Sequence, residues 1–228
     1  LMFHLLTRSD PFKGKMEMGI RCLDEPAKRR LYGEDPVFIF DPIDERNRPD
    51  ADEHRAAVLT WPIYPERLQR LFQRTFGPGM DNPSARVRTG QWCEALAACL
   101  DSRLICPHCG QEVFADPGTI TQCWACGASI EPPARLTTGH YALLAQSDNE
   151  LHPHHLNPLA TERIDAPIGR IESHPSNPNL LGLQNLSPHT WTAQFTNGQS
   201  AEISTGQRCN LAQVSEIKTH LGNVALER

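Results

Sequence analysis

Two patterns of apolar and polar positions follow one another along the 228 residues of this chain. In the first hundred residues the apolar side chains recur at helical spacing, most clearly at Leu68, Leu71 and Phe72. Pro65 suits a first helical position, and a glycine- and proline-rich turn ends the pattern. These signals predict a helix over residues 65–76.

Two further helices are predicted around this one. Thr89 is an N-cap candidate, and the apolar residues of the helix after it are predicted to share one face, namely Trp92, Leu96, Cys99 and Leu100. Residues 22–32 are polar and helix-permissive, and residues 35–49 form an acidic, proline-rich loop around a short apolar run. The first segment is therefore predicted to be helical with long loops.

After Leu136 the pattern changes to short apolar runs between turns. We predict strands over residues 141–145, 168–171, 191–195 and 200–203. Asn197-Gly198 between the last two runs is a strong hairpin signal. Many short strands separated by turns indicate a β-sandwich. The predicted fold class is multidomain α+β, with segments at 1–103, 104–135 and 136–228.

Composition and charge exclude several classes of protein. Apolar residues make up 39% of the chain, and there are 19 prolines and 15 glycines, which favours small modules joined by irregular chain. The net charge is −5, so nucleic-acid binding is not expected. The sequence has no apolar run of 18 residues and no signal-peptide pattern at its start. We therefore expect no membrane span and a cytoplasmic location.

Four cysteines lie in two tight pairs, each followed by a glycine: Cys106, Cys109, Cys123 and Cys126. Two such turns can direct four thiolates at one point, which predicts a tetrahedral zinc site. Because protein would fill all four positions, the site is expected to be structural rather than catalytic. About 30 residues bury little core, so the metal would supply most of the folding energy of this ribbon. The alternatives are disulfides, a redox pair, or iron in the same geometry.

The other cysteines and the histidine cluster are given plainer interpretations. We predict buried or half-buried thiols at Cys22, Cys93, Cys99 and Cys209. Three histidines lie close together in the sequence: His152, His154 and His155. A turn or strand edge with partly exposed histidines is the preferred interpretation, and a second metal site is the alternative.

The first segment contains the motif Ser9-Asp10-Pro11-Phe12-Lys13-Gly14 after residues 3–6. In this motif it resembles the lower part of a protein kinase C-terminal lobe, at the end of the large buried lobe helix and its following loop. The stretch Asp81-Asn82-Pro83-Ser84-Ala85-Arg86 is similar to the "D-P-x-x-R" that follows a lobe helix. The resemblance implies that Arg86 pairs with the glutamate of an "A-P-E" motif and that residues 92–100 are the last lobe helix.

The order of segments resembles one bacterial group, the atypical serine/threonine kinases of stress clusters. The matching residues are Tyr32-Gly33, residues 37–42, Asn47-Arg48-Pro49 and Trp61-Pro62-Ile63-Tyr64-Pro65. Those kinases also carry a cysteine ribbon after the lobe. Many are encoded beside a von Willebrand A-domain protein and a 2C-type phosphatase. These proteins, together with other substrates or regulators, are therefore the partners that the resemblance implies.

The last segment resembles a forkhead-associated β-sandwich. The resemblance rests on Gly169-Arg170, on residues 182–187 and on Trp191. It implies that Arg170 and Ser187 hold a phosphothreonine by charge-assisted hydrogen bonds. The sequence Ser187-Pro188-His189 departs from the usual "S-x-x-H" spacing, so a structural or docking role is the preferred alternative.

The motifs that position ATP in protein kinases are absent from this sequence. There is no kinase-type glycine-rich loop, and "V-A-I-K", "H-R-D" and "D-F-G" are also missing. We therefore expect this chain to be an inactive C-terminal part of a serine/threonine kinase that gives structural support and docks proteins. ATP would bind only to the full-length kinase. The alternative is a stand-alone zinc-ribbon and β-sandwich adaptor.

Overall fold

The computed structural model describes residues 1–115, 120–131, 133–139, 141–157 and 166–228. The chain divides into two compact units, Leu1–Cys99 and Leu100–Arg228. Helices fill the first unit and antiparallel sheets the second, which confirms the α+β class. The three-segment division at residues 103 and 135 stays a prediction. No helix in the described ranges is long and apolar enough to cross a lipid bilayer.

Short helices and irregular chain build the first unit. Its α-helices are α1 (Met2–Thr7), α2 (Lys15–Met18), α3 (Glu25–Arg29), α4 (Arg55–Thr60), α5 (Glu66–Phe76), α6 (Pro78–Asp81) and α7 (Thr89–Asp101), the last of which continues into the second unit. A π-helix covers Arg30–Glu34, and 3-10 turns cover Trp61–Ile63 and Pro83–Ala85. The helices predicted over residues 65–76 and after Thr89 are therefore confirmed, with α5 beginning one residue after Pro65.

Two details of the helix predictions are wrong. The helix predicted over residues 22–32 begins only at Glu25, because the Asp24 carboxylate accepts the Ala27 N–H at 3.0 Å and fixes the N-cap there. In α7 the buried face contains Ala95, whereas Leu96 and Leu100 are exposed. The small alanine side chain faces the core, so apolarity alone did not identify the buried face.

An aromatic cluster forms the core of the first unit. Phe3 on α1 lies at its centre, with ring centroids 5.3 Å from Phe38 and 5.4 Å from Phe72. Phe40 stacks on Trp61 at 4.5 Å. Aromatic pairs in these arrangements add to the stabilisation from burial. The apolar run inside the predicted loop is thus a core element held without regular secondary structure.

Two antiparallel sheets and two small hairpins build the second unit. Its strands are β1 (Arg103–Ile105), β2 (Glu112–Phe114), β3 (Thr121–Gln122), β4 (Ser129–Ile130), β5 (Arg135–Thr137), β6 (Ala142–Leu144), β7 (Glu150–Leu151), β8 (Gly169–His174), β9 (Asn177–Asn185), β10 (Trp191–Phe195), β11 (Ser200–Ile203), β12 (Arg208–Asn210), β13 (Val214–Lys218) and β14 (Asn223–Glu227). A short helix, α8 (Pro153–Leu156), follows β7. The six-stranded sheet has the order β11-β10-β13-β14-β5-β6, and the four-stranded sheet has the order β12-β9-β8-β7.

One hydrophobic core is shared by the two larger sheets. Trp191 and Ile217 of the six-stranded sheet and Ile171 and Leu183 of the four-stranded sheet are 0% exposed within it. The hairpin predicted at Asn197-Gly198 joins β10 to β11, and Gly198 has the positive φ of 82° that such a turn requires. The predicted β-rich domain is therefore confirmed, whereas its forkhead-associated identity stays a prediction.

Candidate metal centre

Each cysteine pair lies on the same type of turn. In the first turn the Cys106 N–H donates to Gln111 O and the Gly110 N–H donates to Cys106 O, both at 2.9 Å. The second pair repeats both hydrogen bonds 17 residues later, at 2.8 Å. Gly110 and Gly127 close the turns with φ of 73° and 72°, a conformation that costs glycine little. The strand pairs β1–β2 and β3–β4 hold the two turns in place.

The four sulfur atoms converge on one point. All lie within 4.8 Å of one another, with Cys106 Sγ 3.7 Å from Cys126 Sγ and Cys109 Sγ 3.6 Å from Cys123 Sγ. A tetrahedron with metal–sulfur bonds of about 2.3 Å has edges of about 3.8 Å. A disulfide bond is about 2.05 Å long, so the four cysteines are free thiols in this structure, and their spacing is compatible with four ligands of one ion. The prediction that these four cysteines meet is confirmed.

Backbone N–H groups favour the thiolate form at Cys123, whereas the pKa of Cys109 and the pKa of Cys126 are raised. The N–H of Cys126, with that of Ala125, lowers the pKa of Cys123 to about 6. The Gln111 N–H acts in the same direction on Cys109, but desolvation and the neighbouring sulfurs raise the pKa of Cys109 to about 12. Four sulfurs this close cannot all carry charge without a cation among them. The arrangement is therefore chemically suited to a divalent metal ion.

The core beneath the sulfurs is very small. It holds the buried residues Leu104, Cys106, Val113, Ala115, Cys123, Ile130 and Leu144, two of which are candidate ligands. Cys109 and Cys126 face outward and are exposed. The Trp124 indole N–H donates to Glu112 O at 2.9 Å and links the two hairpins. So few apolar contacts give the two hairpins little stability from burial alone.

His155 is buried, which corrects the prediction of partly exposed histidines. It lies on α8 and is 2% exposed. Its Nδ1 accepts the His152 N–H at 3.0 Å, so the ring proton is on Nε2, 3.2 Å from Asp101 Oδ1. Both ring nitrogens are therefore occupied, and His155 has no lone pair for a metal. It connects the last residue of α7 to α8 instead.

His154 beside it is kept neutral by its surroundings. Desolvation, with His155 and His152 nearby, lowers the pKa of His154 to about 4, although Asp101 opposes the shift. Within the described ranges, the four cysteines are the only group of three or more His, Cys, Asp or Glu side chains close enough to share an ion. The alternative of a second metal site among the histidines is therefore not supported.

The remaining cysteines divide into two classes. Cys99 and Cys209 are buried, as predicted, and burial is the main cause that raises the pKa of Cys209 to about 11. The prediction is wrong for Cys22 and Cys93, which are exposed. Cys93 and Cys99 are six residues apart on α7, a spacing that predicts different faces of the helix, and this is confirmed because Cys99 is buried and Cys93 is exposed.

The predicted lobe arginine lies at the protein surface. Arg86 is exposed, and its Nε donates to Gly79 O at 3.1 Å rather than to a carboxylate. Its kinase role stays a prediction. The two predicted phosphate ligands have partners within the domain. Arg170 Nη2 lies 2.6 Å from Glu150 Oε1. Ser187 is 2% exposed, and its hydroxyl lies 2.8 Å from Asn185 Oδ1.

Asn47, which belongs to a stretch that carries the kinase resemblance, joins the segments of that resemblance, a role that the sequence did not predict. Asn47 is 0% exposed, and its Nδ2 donates to Phe12 O at 2.8 Å and to Val37 O at 2.7 Å. Its Oδ1 accepts the Met16 N–H at 3.0 Å. Gly14 packs so closely that an added Cβ would lie 2.2 Å from Asn47 O. The sequence did not predict these partners of Asn47, because all of them are at least ten residues away.

Comparison with models of protein families, with curated proteins and with solved structures finds no match to this chain. The chemistry of the candidate site therefore rests on its geometry and on the residue types that form it.

Proposed function

We propose that this chain is a non-catalytic, protein-binding part of a bacterial serine/threonine kinase and that a structural zinc ion folds its cysteine ribbon. The observation that carries the zinc site is the convergence of four sulfurs, with paired distances of 3.6 and 3.7 Å. All four ligand positions are cysteine, so no position remains for a substrate or an activated water molecule. The ion would therefore stabilise a fold rather than perform chemistry.

Zinc suits this site better than iron because zinc is not oxidised or reduced in proteins. Both metals take four thiolates in a tetrahedron, but zinc has no redox chemistry and is the usual structural ion for cysteine pairs at this spacing. Two exposed ligands would leave an iron ion open to oxidation. A reducing cytoplasm, which the cysteine pattern favours, keeps all four thiols available.

The metal test compares two cysteine variants. Purified from cells, the chain is expected to hold one zinc ion per molecule by elemental analysis. Cys123→Ser should lose most of the metal and become protease-sensitive in residues 104–115 and 120–131. Cys93→Ser, at an exposed position on α7 outside the ribbon, is the matched control and should keep the metal. Full occupancy in Cys123→Ser, or iron in place of zinc, would overturn the assignment.

The kinase context is supported by the sequence resemblance and by one packing observation. The motif that ends at Gly14 and the apolar run around Val37 are held together by Asn47, so the resembling segments belong to one unit. The coding sequence upstream of Leu1 tests the proposal. An in-frame glycine-rich loop with a strand lysine and "H-R-D" is expected. Without them the adaptor becomes the better interpretation.

The β-rich domain is proposed to dock a protein rather than to read phosphothreonine. Glu150 already pairs with Arg170, so a phosphate would have to displace a carboxylate. Ser187 uses its hydroxyl within its own turn. The von Willebrand A-domain protein and the 2C-type phosphatase implied by the resemblance are the partners to test. Purified candidates should bind the metal-loaded chain, and retained binding by the Cys123→Ser variant would place the contact outside the ribbon.

A further inference from the structure

A cavity of about 310 Å³ lies in the first unit between α2, α3 and the π-helix. Its apolar walls are Met16, Ile20, Ala27 and Leu31, and its charged residues are Arg30 and Asp35. This volume is at the lower end of the range for ligand pockets. It suits one or two side chains better than a cofactor.

The cavity is formed by fixed elements. The Tyr32 hydroxyl donates to Glu17 Oε2 at 2.5 Å, which ties the π-helix to α2. Asp24 fixes the start of α3 through the Ala27 N–H. Single π-helical turns occur often at functional sites, because they widen the backbone at a cost in stability that folding alone does not require. The walls are therefore in place before a ligand arrives.

The charged residues in and beside the cavity differ in whether they have an ion-pair partner. Asp35 is engaged by Arg46, whose guanidinium lies 2.8 Å from Asp35 Oδ2. Arg29 is paired with Glu34 at 3.2 Å. Arg30 is exposed and has no ion-pair partner in the part of the chain that the structure describes. The cavity thus offers one guanidinium that a ligand can engage.

The surroundings add positive charge. Residues 13–35, which form the elements around the cavity, contain six basic and five acidic residues in a chain whose net charge is −5. Four of those five acids already have local partners: Glu17 accepts the Tyr32 hydroxyl, Asp24 caps α3, and Glu34 and Asp35 pair with Arg29 and Arg46. An anionic ligand is therefore attracted to this part of an otherwise acidic protein.

We propose that this cavity binds a peptide segment of a partner protein in which a bulky apolar side chain lies next to an aspartate or glutamate. The apolar side chain fills the space between Met16, Ile20 and Leu31, and the carboxylate engages the Arg30 guanidinium, whose planar fork matches a carboxylate. The site is separate from the cysteines. It depends neither on the metal nor on the kinase proposal.

The test uses the full, metal-loaded chain labelled with ¹³C in its methyl groups. The probe is a mixture of capped tripeptides that place Leu, Ile, Phe, Met or Trp beside Asp or Glu. A second mixture with Asn or Gln in place of the acids is the control. The acidic mixture is expected to shift the methyl signals of Met16, Ile20, Ala27 and Leu31 at a concentration about tenfold lower than the amide mixture, a difference of about 1.4 kcal/mol.

Two variants separate charge recognition from mere apolar contact. Arg30→Gln should remove the tenfold preference for the acidic mixture, whereas Arg29→Gln, next to it but paired with Glu34, should keep it. Both residues are exposed, so neither change should alter folding or metal content. If no methyl of the cavity responds at millimolar peptide, or if Arg30→Gln keeps the preference, the proposal is wrong.

Discussion

Replacement of Asn47 by alanine should destabilise the first unit more than an ordinary substitution does. The change removes the donors to Phe12 O and Val37 O and the acceptor of the Met16 N–H. A buried polar group that loses its partner costs about 1–3 kcal/mol. Water reaches the groups near Phe12 and Met16 in part, so we expect a total of about 3–5 kcal/mol. A typical substitution costs about 1 kcal/mol.

Hydrogen exchange of one amide measures this loss of stability in the first unit directly. The Ile39 N–H is fully buried and donates to Pro11 O at 2.9 Å, within the segments that Asn47 joins. A loss of at least 3 kcal/mol should speed its exchange by at least about 100-fold. Asn185→Ala is the matched control. Asn185 is equally buried, and it bonds His189 O and Ile203 O in the second unit.

The two variants should affect different amides. Asn47→Ala is expected to speed exchange at Ile39, and Asn185→Ala should speed it around Ile203 while Ile39 stays protected. Less than about a fivefold change at Ile39 in Asn47→Ala, which corresponds to about 1 kcal/mol, would show that the asparagine fills space without supporting the backbone. In that case the close approach of Gly14 to Asn47 would also not show that the asparagine supports the backbone.

Three other predictions concern a histidine, a glycine and an arginine. The folded-state pKa of His154, about 4, lies below the usual 6.5, so the unfolded chain binds the extra proton. Stability should therefore fall as the pH drops from about 6.5 to 4, by less than about 1.4 kcal/mol per pH unit because solvent screens this half-exposed ring. His154→Gln should flatten urea-unfolding free energies over that range. Gly127→Ala forces alanine to a φ of 72° and should weaken metal binding about 5- to 30-fold in chelator competition. Gly139→Ala is the control and should not weaken it, because an added Cβ has no neighbour within 4 Å there and φ is not positive. Arg86→Ala should change stability by less than about 0.5 kcal/mol in urea, because Arg86 is exposed with one hydrogen bond to a carbonyl.

Local chemistry explains what the sequence predicted well. The Asn197-Gly198 turn, the paired cysteines and the helix after Thr89 are each specified by residues adjacent in the chain. A two-residue turn with positive φ needs glycine or asparagine wherever it occurs. The same holds for the glycine that closes each cysteine turn. These features can be predicted because their energetics do not depend on distant partners.

Long-range partners explain what the sequence missed. Strand β5 pairs with β14, so that Arg135 lies beside Glu227, and their side chains form an ion pair at 2.7 Å. No pattern near residue 135 indicates a partner 92 residues away. Likewise the three neighbouring histidines look alike in sequence, and only Asp101 at the end of α7 distinguishes His155. The His152 N–H on Nδ1 sets the tautomer of His155, and with Asp101 at Nε2 both ring nitrogens are occupied.

Buried asparagines show how this chain holds so much irregular backbone. Of the seven buried polar or charged residues in the described ranges, three are asparagines: Asn47, Asn149 and Asn185. Each donates its amide to a backbone carbonyl, as Asn149 does to Leu144 O at 2.8 Å. Loops outside helices and sheets leave backbone groups without ladder partners, and burying them unpaired is costly. An amide side chain supplies both a donor and an acceptor at one point. Aspartate has nearly the same shape but offers no donor when ionised, so we infer that the carbonyl partners, rather than the available space, require asparagine at these positions.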